Sequence, residues 1–179
     1  EEYLNGLHGR DRHELKRKLR RLERAGQVEF YASRPLPEDI EDFLRLFRVS
    51  RPDKESFLTP PREAFFRGLF QETGEQGWLR LYFMELDHKR VAAAFCFDYN
   101  GCLYLYNSGF EPSYQELSVG LLCKAFSIQT AISEGKRVYD FLRGAEDYKS
   151  DLGGKPTPVY RCTIVPQPRK QDALGEAEL

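Results

Sequence analysis

No stretch of this 179-residue chain approaches the roughly 20 consecutive apolar residues that cross a bilayer. Its charged opening, Glu1-Glu2, lacks a signal-peptide pattern. A helical membrane span is thereby excluded, and a cytoplasmic location is the default expectation. No C-x-x-C pair occurs. Cys96, Cys102, Cys123 and Cys162 are dispersed through apolar segments, which argues against a zinc site or a redox couple and for ordinary buried thiols in a reducing compartment. The three histidines, His8, His13 and His88, stand in polar stretches without metal-ligand spacing, so no metal is expected and all three are read as solvent-facing. There is no internal repeat, and no excess of one sign of charge, since 27 Lys and Arg face 28 Asp and Glu.

That balance hides an uneven distribution. Arg10 to Arg24 holds eight Lys or Arg against Asp11, Glu14 and Glu23, whereas the last residues reverse the sign with Asp172, Glu176 and Glu178. A hydrophobic share of 41%, with 13 Phe and 10 Tyr, is enough for one core, and 31% charged residues suit a water-facing surface. The expectation is a single domain over 1–168 followed by a flexible acidic tail, 169–179.

Leu15, Leu19 and Leu22 recur at helical spacing inside the basic run and predict a helix over about 11–25, ended by Gly26. Val28 to Ala32 reads as a strand. Pro37-Glu38-Asp39 opens a helix with the proline and carboxylates that a first turn favours, and Pro60-Pro61 opens another with Phe65, Phe66, Leu69 and Phe70 as its stripe. The period then changes. Trp78–Leu86, Val91–Tyr99 and Leu103–Asn107 read as a meander, separated by Asp87-His88 and by Asn100-Gly101, a strong hairpin signal. A helix is predicted over 117–135, a short buried strand over 138–142, a charged glycine-containing loop over 143–158 and a last strand over 159–165. This order implies an α/β (α+β) fold, with a mixed, mostly antiparallel sheet flanked by helices.

The stretch Gln115-Glu116-Leu117-Ser118-Val119-Gly120-Leu121 lies between a strand and a long helix. Small residues there admit a diphosphate to the backbone, and the unpaired amides and dipole of a helix start favour an anion. A plain connection with Ser118 or Glu116 as N-cap accounts for the same residues. The pattern resembles the acetyl-CoA loop of the GNAT (Gcn5-related N-acetyltransferase) superfamily, with Gln115, Ser118 and Gly120 on its motif positions. The basic run Arg12 to Glu23, Ser118 to Leu122, Tyr139-Asp140-Phe141-Leu142-Arg143-Gly144, Tyr148-Lys149 and Leu152-Gly153 are similar to the branch of cellulose-biosynthesis-protein-like acetyltransferases, related to Fem-type aminoacyl transferases. That branch usually has proline at the position of Val119.

The resemblance implies acetyl-CoA or another acyl-CoA as cosubstrate, held by Asn107, Ser108, Gly109, Gln115, Leu117, Ser118, Val119, Gly120 and Leu121, and an amine acceptor, small or related to peptidoglycan or polysaccharide. It also implies a GNAT-like domain preceding this one. Direct attack of an amine on a thioester needs an oxyanion donor, an acid and a base. The strand around Asn107–Gly109 offers the first and Tyr148 the second, with core packing as the competing account of Tyr148. Asp140 is the candidate base, unless Arg143 or Lys149 holds it as an ion pair, and Glu146 and Asp147 are alternatives. Tyr106, Arg143 and Lys149 are candidate acceptor-binding residues. Two other functions stay open: aminoacyl transfer from charged tRNA, which needs the basic helix to track phosphates, and a non-catalytic partner domain. A solvated helix on the domain edge explains the basic run better than nucleic acid does.

Overall fold

The computed structural model describes residues 2–165. Helices α1 (Glu2–Gly6) and α2 (Gly9–Glu23) precede strand β1 (Val28–Ala32), and α3 (Pro37–Val49), α4 (Pro52–Phe57) and α5 (Pro60–Glu75) follow it. Strands β2 (Leu79–Leu86), β3 (Lys89–Tyr99) and β4 (Cys102–Phe110) form the meander, after which come a 3₁₀ turn (Pro112–Leu117), α6 (Val119–Ser133), β5 (Val138–Asp140) and α7 (Asp147–Asp151). The sheet order is β1-β2-β3-β4-β5, antiparallel except for β5, which runs parallel to β4. This is the mixed sheet that the sequence implied.

Both predicted hairpin turns form. Asp87 and His88 take φ of 50° and 63°, and Asn100 and Gly101 take 49° and 73°, the left-handed pair of a type I′ turn. Alternation along the strands then divides the core. Tyr82, Met84 and Ala94 face α2 and α6, where Phe30 stacks between Tyr82 and Phe126 at 5.4 and 5.3 Å. Leu81, Phe83 and Phe95 face α3 and α5, among Phe43, Phe47 and Phe66. Arg90 fastens α3 to the sheet, since its guanidinium meets Asp39 and Asp42 at 2.8 Å each and covers the Phe83 ring. Trp78, at the start of β2, packs edge-on against Tyr99 at 5.1 Å.

Several expectations need correction. The strand predicted over 138–142 stops at Asp140, and it lies at the sheet margin with Val138 exposed. Leu142 takes φ of 56°, and its amide donates to the Asp140 carboxylate at 2.7 Å, so the chain turns away. The helix expected from Leu117 begins at Val119, after Ser118 has reversed the backbone at φ 57°. Val159–Val165 forms no strand: Val159, Tyr160, Ile164 and Val165 are exposed, and Pro156 and Pro158 deny the approach two amide donors. Of the cysteines, Cys96 and Cys123 are buried, but Cys102 is half-buried and Cys162 exposed. The histidines face solvent as expected. The boundary at 168 and the tail 169–179 lie outside the described residues.

Gly109 shows how tightly the layers meet. A β-carbon there would stand 2.4–2.6 Å from the backbone of Leu46 and Phe47 in α3. Backbone cannot yield as a side chain can, so Gly109→Ala is expected to lower the unfolding free energy by at least about 2 kcal/mol. Gly68, inside α5 with open space around it, is expected to respond oppositely, with Gly68→Ala gaining about 0.5–1 kcal/mol. Urea titrations of the two variants against the parent check both signs.

Candidate active site

β5 pairs with only the first part of β4, Cys102 with Val138, Leu103 with Tyr139 and Tyr104 with Asp140. From Leu105 to Phe110 the edge of β4 is left to other elements. A bulge within this stretch pairs Phe95 with Asn107 and Cys96 with Leu105, so Tyr106 is the extra residue. Its ring lies among Phe66, Phe95 and Phe97 on the α3–α5 side. Beyond the bulge, Lys54 of α4 donates from Nζ to the Ser108 carbonyl at 2.5 Å.

The mouth of α6 opens beside this edge. Leu121 and Leu122 both donate to the Ser118 carbonyl at 3.0 Å, and the Ser118 amide donates to Gln115 at 2.8 Å. The amides of Val119 and Gly120 precede the first intrahelical bond, as the first turn of any helix requires. Arg21 of α2 donates to Ser118 Oγ at 3.1 Å, which sets a guanidinium at the positive end of the dipole. Gln115 is exposed, whereas Val119 is in the core. The missing side chain of Gly120 makes room for Phe110, since a β-carbon would lie 2.9 Å from that ring. Across from the mouth, α2 and α7 border a groove of about 930 Å³, with Arg17, Lys18, Leu121 and Asp147 in its walls.

Beyond β5, Tyr148 of α7 packs against Phe141 at 6.0 Å and Phe141 against Tyr139 at 4.9 Å. Burial pushes the Tyr148 phenol up to about 12, with Glu146 adding to the effect, so it is protonated throughout the physiological range. Asp140 accepts the Leu142 amide on one carboxylate oxygen. Lys149 pairs with Glu146 at 2.9 Å and donates to the carbonyls of Leu142, Arg143 and Gly144 at 3.0–3.2 Å, which ties the loop in place. Arg143 is exposed. Gly109 is thus held against the backbone of α3, while Tyr106 belongs to the apolar layer on the α3–α5 side.

A family model described as an acetyltransferase (GNAT) domain matches residues 9–150. The chain belongs to this family. A search of curated proteins gives no match. Among solved structures, FemX shares 14% identity and a TM-score of 0.64 over 82% of this chain and 50% of its own, so the present chain spans half of that protein. AAC(6')-Iy, solved with the bisubstrate analogue CoA-S-monomethyl-acetylneamine, shares 16% identity over 80% of this chain and 99% of its own at a TM-score of 0.55. A transcriptional regulator from Bacillus halodurans C-125 shares 10% over 78% and 100%, at 0.58. At such identities the likeness concerns the fold, which hosts more than one function.

This GNAT domain has two lysines withdrawn from solvent that sequence reasoning missed. Lys124 of α6 is buried, donates from Nζ to the Gly120 carbonyl at 2.8 Å and lies 4.7 Å over the Tyr148 ring. Burial brings it down to about 8; Arg51 adds to this, while Cys123, Cys96 and Glu146 oppose it. Burial, then Lys124 and Arg51, bring Lys54 to about 8 as well. A lysine amid Leu121, Leu122, Cys123, Ala125 and Phe126 is a signal legible in the sequence. Lys54, in a charged run, gave none.

The pH dependence follows from the direction of the Lys124 shift. Between about 8 and its ordinary value of 10.5, the unfolded chain binds a proton that the folded chain does not, so this group adds stability as pH rises through that window. Stability relative to Lys124→Met is therefore expected to rise from pH 8 toward 10.5, with the variant at its greatest relative advantage at pH 7. Thermal melts of both proteins across the range test it, and a constant difference would mean that the ammonium is hydrated.

Proposed function

We propose that this domain is an acyl-CoA-dependent N-acyltransferase working on an amine acceptor in the cytoplasm. The observation that carries the proposal is the placement of the α6 mouth, with Ser118 reversed and Arg21 beside it, next to the part of β4 that β5 leaves unpaired. The amides of Val119 and Gly120, with Gln115 and Ser118, hold the diphosphate of acetyl-CoA or another acyl-CoA, and Leu117 and Leu121 border its path. The thioester then lies along Asn107–Gly109, whose main chain steadies the oxygen as the carbonyl becomes tetrahedral.

The acceptor nitrogen attacks as a neutral amine and gives up a proton, while the departing thiolate takes one. Tyr148, kept protonated by burial, is the donor we assign to the sulfur. Asp140 at the end of β5 is the proton acceptor we assign, with Glu146 and Asp147 as its alternatives, and Arg143 and Lys149 are assigned to the acceptor side. The acceptor class is a small amine, including amines of peptidoglycan or polysaccharide precursors. We place a second GNAT-like domain before this one in the working protein.

One observation favours a second reading, aminoacyl transfer from charged tRNA: Arg17 and Lys18 of α2 line the groove beside α6. Phosphate contacts there would make tRNA affinity fall steeply with salt.

Calorimetry with coenzyme A and acetyl-CoA tests the first reading, and absence of heat with both would end it. Gln115→Ala is expected to weaken coenzyme A by about 0.5–1.5 kcal/mol, the value of one neutral hydrogen bond. Tyr148→Phe keeps the ring contacts and removes only the hydroxyl. It is expected to lower kcat about 10²-fold, the low end for general acid catalysis, with the coenzyme A dissociation constant unchanged. A variant that loses melting temperature but keeps its turnover would return Tyr148 to a packing role.

A further inference from the structure

Lysines from two helices on opposite faces of the sheet come to the end of β4. Lys54 of α4 rests on the Ser108 carbonyl and Lys124 of α6 on that of Gly120, which packs on the Phe110 ring two residues along from Ser108, and the charge of Lys124 lowers Lys54. Each ammonium also lies over an aromatic face, Phe47 or Tyr148. Among the described residues neither has a carboxylate at ion-pair distance. The acids that act on Lys54 from further off are engaged elsewhere, Glu146 with Lys149 at 2.9 Å and Asp53 with Arg51 at 2.5 Å. Arg51 adds a third positive charge to the field at both lysines. Buried charges are ordinarily paired, and an unpaired one is costly. Two such charges set together form an electrostatic vacancy for an anion.

We propose that Lys54 and Lys124 form an anion subsite beside the end of β4 that takes a carboxylate carried by one of the two reactants. Each ammonium has three N–H donors and spends one on its carbonyl, which leaves two apiece for carboxylate oxygens. The subsite rests on the proposed acyl transfer for the identity of the reactants, but not for its existence. The carboxylate belongs either to a dicarboxylic acyl group, such as succinyl, or to an acceptor that bears one beside its amine, as an amino acid does. Bound there, it supplies the missing counter-charge, so both lysines hold their protons more firmly and the protein takes up protons on binding near pH 8.

The test begins with succinate alone, titrated into the intact protein at pH 8 with inorganic phosphate in parallel, following the Cε–Hε resonances of Lys54 and Lys124. Saturable shifts at both lysines with succinate are expected, together with proton uptake measured in buffers of different ionisation enthalpy. Affinity is expected to fall at least tenfold in Lys124→Met and in Lys54→Met, and to be largely restored in Lys124→Arg. No shift at either lysine, or equal affinity in folded Met variants, overturns the subsite, and saturation by phosphate but not succinate overturns its assignment to carboxylate.

The second arm assigns the source. An at least tenfold preference for succinyl-CoA over acetyl-CoA, lost in Lys124→Met, places the carboxylate on the acyl group. The same discrimination between glutamate and its decarboxylated amine in turnover places it on the acceptor. Neither preference overturns the proposal, and coenzyme A that fails to bind overturns the acyl-CoA reading while the succinate titration still decides the subsite.

Discussion

Three parallel residue pairs hold β5 to β4, and the arrangement of everything beyond Tyr104 depends on there being no more. Main-chain groups on a strand edge need partners once they leave water. Past Tyr104 the ladder no longer supplies them, so helices and side chains do. The Ser108 carbonyl takes an ammonium from α4, and the mouth of α6 comes alongside. The turn that ends β5 is local, with one aspartate carboxylate holding the amide two residues on, and a leucine accepting a backbone region that favours glycine. Past Tyr104 the sheet margin steps back to β4 as a result of that small motif.

The layers on either side must then be held in place without β5. On one face this is done by contact too close for a β-carbon, where α3 lies on Gly109, and by Arg90, whose charge is shared between two carboxylates of α3. On the other face Gly120 lets α6 settle on the Phe110 ring, and the leucines of α2 close over the same core. Both glycines sit next to residues assigned to cosubstrate binding. At both positions it is close packing that requires a backbone without side chain.

Patterns of short range were legible in the sequence because their causes are short range. Asn100-Gly101 names its turn, Pro37-Glu38-Asp39 names a helix start, and the alternation from Trp78 to Asn107 names a meander. What depended on distant partners was not legible. Val159–Val165 has the composition of a strand, but composition does not supply a ladder to join. Gly120 reads as an opening for phosphate until Phe110, ten residues earlier, is seen to fill the space. Tyr106 reads as an acceptor-binding residue until the bulge in β4 places it among the phenylalanines. Lys124 could have been suspected from its apolar neighbours, but its company with Lys54 depends on how α4 and α6 separately pack beside the end of β4.

The one tryptophan, Trp78, stands against Tyr99 where β2 begins and β3 ends. That is the end of the sheet where β5 is still paired to β4, away from the stretch past Tyr104. Its emission is consequently a gauge of the strand framework and insensitive to events at the mouth of α6. Optical unfolding curves will follow the whole domain cleanly, and a ligand entering beside Ser118 will leave the fluorescence nearly silent.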